Sequence, residues 1–126
     1  MPKTKVVFYQ ETDGFVPVMD WLLKDVLPRD KKLFAWCFDA IDELARCGRD
    51  LRRPVADYLR DGIYELRIRY YRQNYRILYF FHKGEIAVLS NGLVKQAVVP
   101  AGEISIAIQR KARFEQDPEV HTYYEE

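Results

Sequence analysis

Between Tyr64 and Phe81 the chain reads YELRIRYYRQNYRILYFF, and its cations are placed where chemistry on an anion could be done. Arg67, Arg69, Arg72 and Arg76 alternate with Tyr64, Tyr70, Tyr71, Tyr75 and Tyr79. Several permanent cations on one small sheet repel one another unless an anion meets them. A phosphate backbone suits a planar guanidinium, which can grip two phosphate oxygens at once. Tyr71 and Tyr75 flank the expected turn and could stack on unpaired bases, as proteins do when they read single-stranded RNA.

The elements that must position these residues follow from pattern. Ile63 to Tyr70 alternates, with Tyr64, Leu66, Ile68 and Tyr70 on one side and Glu65, Arg67 and Arg69 on the other. Asn74 to Phe81 is its expected partner strand. A two- or four-residue turn around Arg72 and Gln73 would set Arg69 opposite Arg76, with Arg67 diagonal; a three-residue turn or a bulge would shift that register. Glu85 to Ser90 reads as a third antiparallel strand, broken by Asn91 and Gly92, with Leu93 to Lys95 as a possible continuation.

Ahead of the hairpin, Lys5 to Tyr9 is β-branched and aromatic, a first strand. Pro17 opens a short helix that Pro28 ends. Asp30 caps a second helix from about Lys31 to Arg46, stopped by Gly48. Arg49 to Gly62 has no sustained period and reads as a solvated polar loop; its Arg49, Arg52, Arg53 and Arg60 could alternatively form a second basic wall beside the hairpin. Pro100 opens a last helix, and Pro118 stops it. The expected order is β-α-α-β-β-β-α. This is an α+β fold, a small antiparallel sheet with a helical hairpin on one face, the other face partly open, and a C-terminal helix. Residues 1–126 form a single domain in this reading, with about 117–126 a loose acidic tail.

Composition narrows the partners. The chain has 126 residues, is 48% hydrophobic and carries a formal net charge of +1, so the whole molecule is no generic polyanion binder. Nucleic-acid contact must come from local charge. From Arg60 to Lys83 six Lys/Arg face two acids, Asp61 and Glu65. Cys37 and Cys47 match no metal or redox spacing and read as reduced thiols. No signal peptide and no membrane-spanning run is evident, so a cytoplasmic protein is expected. His82 reads as a turn residue, Trp21 and Trp36 as helix packing, and His121 has no assigned role.

The words IYELRIRY (63–70), NYRILYFF (74–81) and IAVLSNGLVKQ (86–96), before a Pro-started helix, resemble the RelE/ParE toxin superfamily, and within it the HigB-like, phage-derived branch of type II toxin–antitoxin systems. The resemblance runs from about Val6 to Phe114. It implies a RelE-like fold and an endoribonuclease that cuts mRNA on the ribosome with no metal and no cofactor, the RNA's own 2′-OH attacking the adjacent phosphate. A cognate antitoxin, expected to carry a helix-turn-helix domain, would silence it. On the matching positions, Arg76 is the main phosphate clamp and Arg67 a second clamp or proton-handling group. Lys95 is the group near the leaving oxygen, and Glu65 is either a base or a salt-bridge partner. Arg69, Arg72, Tyr71, Tyr75 and Lys83 fall to RNA binding. The family's Phe is Leu93 here and its second Lys is Gln96; Arg69, Arg72 or Lys83 could supply the missing cation. Two alternatives share the fold: a ParE-like protein that inhibits DNA gyrase by contact alone, and a degenerate toxin acting only in repression with its antitoxin.

Overall fold

The computed structural model describes residues 4–95 and 98–124, with Lys95 placed by its backbone alone. Strand β1 (Lys5–Phe8) leads to helix α1 (Pro17–Trp21), which runs on as a π-helical turn over Leu22–Val26. Helix α2 (Lys31–Cys47) follows, and then strands β2 (Ala56–Arg60), β3 (Ile63–Tyr70), β4 (Gln73–His82) and β5 (Ile86–Lys95). Helix α3 (Ala101–Gln116) closes the chain. The result is the α+β, RelE-like arrangement expected, with one strand more.

That strand is β2, inside the stretch read as a loop. The sheet order is β1-β5-β4-β3-β2, so β2 forms one edge. Its five residues are too few for alternation to stand out, and a register shift between Tyr58 and Arg60 blurs it further. The sheet is also mixed rather than purely antiparallel, because β1 pairs parallel with β5. Strand β5 does not break at Asn91 and Gly92. An extra residue at Ser90, opposite the step between Leu78 and Tyr79, absorbs the irregularity as a bulge, and pairing continues to Lys95.

Each face of the sheet carries its own core. On one, α1 and α2 bring Val18, Trp21, Leu22, Leu33, Cys37, Ile41 and Leu44 onto Leu66, Ile68, Ile77, Tyr79 and Leu89. Burial pushes the Cys37 thiol up to about 12, so it stays protonated. Asp30 caps α2 through the N–H groups of Lys32 (2.7 Å) and Leu33 (3.4 Å), and its other oxygen accepts the Tyr70 hydroxyl at 2.8 Å. The start of α2 is thereby tied to the end of β3. On the opposite face α3 lays Ile104, Ala107 and Phe114 over Ile63, Leu78, Phe80 and Val88. The second face is therefore covered along part of its length and open only toward the β3–β4 turn.

The tail corrects a further expectation. Residues 117–124 are not loose. Gln10 N–H donates to His121 O (2.9 Å), Tyr123 N–H donates to Phe8 O (2.9 Å), and His121 stacks on buried Tyr9 at 5.1 Å. This return shields the outer edge of β1, which would otherwise offer unpaired backbone. His82 is likewise no exposed turn residue; it is buried edge-on against Phe114. Trp36 is 42% exposed, edge-on to Tyr70, rather than core.

Gly92 shows how tightly the first core is set. A Cβ there would lie 2.2 Å from the Trp21 ring, and that ring is buried. Gly92→Ala is expected to displace Trp21 and cost about 1–3 kcal/mol in urea unfolding; an unchanged midpoint and slope would contradict this packing.

Candidate nucleic-acid interface

The β3–β4 turn fixes the arginines. Tyr70 pairs with Gln73, so the turn is the two residues Tyr71 and Arg72, and Tyr71 takes φ +56°. A positive φ at the first turn residue alone is the pattern of a type II′ hairpin, whose twist suits the flanking strands. The register follows: Arg67 faces Arg76 and Arg69 faces Asn74. This corrects the expected pairing of Arg69 with Arg76 by two residues, because the turn is centred one residue earlier.

Arg67 gives its N–H to Val55 O (2.7 Å), away from β4. Arg67 and Arg76 thus form a non-hydrogen-bonded pair, in which side chains come closest. Two like charges ~5 Å apart at an effective dielectric constant of about 20 repel by about 3 kcal/mol. Glu65 cancels this. One carboxylate oxygen accepts Arg76 Nε at 3.0 Å and the other accepts Arg67 Nη1 at 3.0 Å. The Glu65 and Arg76 side chains are 3% and 4% exposed, that of Arg67 26%. Arg76 also donates through Nη1 to Tyr75 O at 3.0 Å. Burial lowers its pKa, Glu65 opposes that, and Arg67 and Arg69 add to the lowering; a guanidinium remains charged throughout.

These residues share the α3 face, beyond the reach of the helix. There they line a concavity of about 510 Å³. Its walls hold Arg67, Arg69, Asn74 and Arg76 from the hairpin, Arg53, Asp57 and Arg60 from the β2 edge, and Val98, Val99 and Ile104 at the start of α3. Five arginines stand against two carboxylates, Asp57 and Glu65. Arg53 bonds Asp57 (2.7 Å) and holds its carboxyl below the ordinary range, so the acid stays ionised. Arg60 pairs with Asp61 at 2.8 Å. Arg69 is exposed and has no carboxylate partner among the described residues.

The sequence-based expectations are met unevenly. Glu65, Arg67, Arg69 and Arg76 converge as expected. Arg76 is the floor of the concavity rather than its most accessible clamp; Arg67 and Arg69 stand nearer solvent. Tyr75 does not join them. It is 3% exposed on the opposite face, near Trp21, with its hydroxyl on Gln73. Tyr71 is 79% exposed and sits with exposed Arg72 at the turn tip, outside the concavity. Lys83 occupies the turn at the far end of β4, seven residues from Arg76, roughly 23 Å along a strand. The Lys95 backbone pairs with Asn74, one strand from Arg76; its side chain and Gln96 lie outside the described residues. Arg53 and Arg60 belong to the basic stretch that could form a second wall; Asp57 is not expected there, and it is strand β2 that sets all three along the sheet edge. Asn74, opposite Arg69, follows from the corrected register.

The family comparison agrees with this fold. The model of the phage derived protein Gp49-like family (DUF891) matches residues 25–112, and the chain belongs to that family, one of the RelE/ParE type. No curated protein is similar enough to match the chain. Membership suggests an antitoxin partner. No helix among the described residues is long and apolar enough to cross a membrane.

Removing one member of a buried ion pair strands the other, whereas replacing both with apolar groups does not. Glu65→Ala is therefore expected to cost about 3–5 kcal/mol, and Glu65→Leu with Arg76→Met to recover most of it. Urea unfolding of the three proteins checks this. A Glu65→Ala protein as stable as the parent would mean that the carboxylate does not hold the two arginines.

Proposed function

We propose that the chain is the toxin of a type II toxin–antitoxin pair of the HigB-like kind, and that it cuts mRNA on the ribosome as an endoribonuclease. The observation that carries this reading is the open concavity in which Arg67, Arg69 and Arg76 meet. In the reaction, the RNA 2′-OH gives its proton to water, its oxygen bonds to the adjacent phosphorus, and the bond to the 5′-oxygen breaks as that oxygen takes up a proton. A cyclic phosphate is left on one side and a 5′-hydroxyl on the other. Charge accumulates on the non-bridging oxygens of the phosphorane, where pre-placed cations lower the barrier most. Arg69 and Arg67 reach the phosphate from the walls and Arg76 from the floor. Glu65 holds two of these guanidiniums in place; to take the 2′-OH proton, it would have to release both. Lys95 is assigned to the departing 5′-oxygen.

Arg76→Ala confounds function with folding, since Arg76 is buried on Glu65. Arg69→Ala, at an exposed position without a carboxylate partner among the described residues, is the cleaner test. Primer extension on cellular mRNA after brief induction should show discrete new cuts. Arg69→Ala should weaken them about a hundredfold with an unchanged melting temperature, and Arg67→Ala should weaken them as much while also shifting the melting temperature, because it takes a partner from Glu65. Growth arrest without cuts would overturn the nuclease reading in favour of a poison that acts by protein contact, and cuts of unchanged strength in the Arg67→Ala/Arg69→Ala protein would overturn these assignments.

A further inference from the structure

A second group of cations lies on the other side of the β2 edge. Arg49 and Arg52 come from the turn after α2, and neither has a carboxylate partner among the described residues. The Arg49 guanidinium lies 4.4 Å over the Phe81 ring. That of Arg52 donates to the carbonyl oxygens of Arg49 (2.7 Å) and Leu51 (3.4 Å). With Tyr58 and Tyr64 they line a concavity of about 430 Å³. Arg53, Asp57 and Tyr58 line both this concavity and the first, and the Asp57 carboxylate is held by Arg53 at 2.7 Å. Tyr58 is 53% exposed, yet its ring is fixed. Its hydroxyl accepts the Gly62 N–H at 3.0 Å, and the ring meets Tyr64 in a T-shape at 5.0 Å.

We propose that this second concavity is a binding subsite for the flanking part of the same single-stranded RNA, with phosphate held by Arg49 and Arg52 and a base stacked on Tyr58. The strand crosses the β2 edge at Arg53. The inference rests on the RNA reading above and extends it. The two concavities lie on opposite faces of one edge strand. A duplex, with a persistence length of about 150 base pairs, cannot fold around such an edge, whereas a single strand can. A fixed, exposed ring beside two cations without carboxylate partners is the pairing that single-strand binders use: charge for the backbone, an aromatic face for any base.

The test is fluorescence anisotropy with a labelled single-stranded oligoribonucleotide of about twelve nucleotides, 2′-O-methylated so that it cannot be cut. Arg49→Gln/Arg52→Gln is expected to weaken binding about tenfold and to flatten the salt slope by about 0.7 for each phosphate that is no longer neutralised. Tyr58→Ala should also weaken it about tenfold, and Tyr58→Phe should bind like the parent. The Phe variant keeps the ring, so its rescue separates stacking from loss of fold. Parent-like affinity and salt slope in both the arginine and the Ala variants would overturn the subsite, as would equal losses on a duplex of the same sequence. Primer extension with the same proteins separates the two readings. Cuts by the parent together with unaltered binding by the variants would remove the subsite alone. Binding losses as expected, with no cuts by the parent, would remove the nuclease reading alone.

Discussion

The bond of Glu65 to both Arg67 and Arg76 is the interaction on which the rest depends. The hairpin register sets the two arginines directly opposite. Without an anion between them the sheet would carry two like charges face to face, one of them buried. Glu65 is on the same face, two residues from Arg67 and diagonal to Arg76, and it reaches both. The carboxylate thus turns a repulsive pair into a rigid one. Rigidity matters because a cation serves a developing charge only if it is already in place.

The second constraint is the extent of α3. Its inner residues cover Ile63, Leu78 and Phe80 but stop short of Arg67, Arg69 and Arg76. One face of the sheet therefore does two jobs. Its apolar part closes the core that anchors the strands, and its charged part remains open as a concavity. The strands that carry the cations are braced from the far side by α1 and α2, with Asp30 tying α2 to Tyr70 beside the turn. Strand β2 then adds a wall of arginines along the sheet edge, so that the open surface continues around that edge rather than ending at it.

Much of this is legible in the chain. The alternation in Ile63–Tyr70 separates core from charge correctly, and Asp30, Gly48 and Pro17 mark the helix ends. Less legible features share a cause. A turn without glycine or asparagine at its centre, Tyr71 and Arg72, gives no signal for its position, and the expected register slips with it. Strand β2 is too short to show a period, so its arginines are visible in sequence as a basic run while the strand that aligns them along the sheet edge is not. The docked tail has few apolar residues; what holds it is backbone pairing and the stacking of His121 on Tyr9, neither of which leaves a pattern in sequence. Tyr75 looks available to RNA from its place near the turn, although its parity with Ile77 and Tyr79 puts it in the core.

We propose that the cations braced by Glu65 receive the RNA backbone. Arginine side-chain N–H resonances report it directly, titrated with a 2′-O-methyl oligoribonucleotide. The Nε–H signals of Arg67, Arg69 and Arg76 are predicted to shift with a common affinity. Those of Arg110 and Arg113, which bind Glu11 away from the concavity, should stay in place. Shifts at Arg110 and Arg113 with none at Arg67, Arg69 and Arg76 would contradict it.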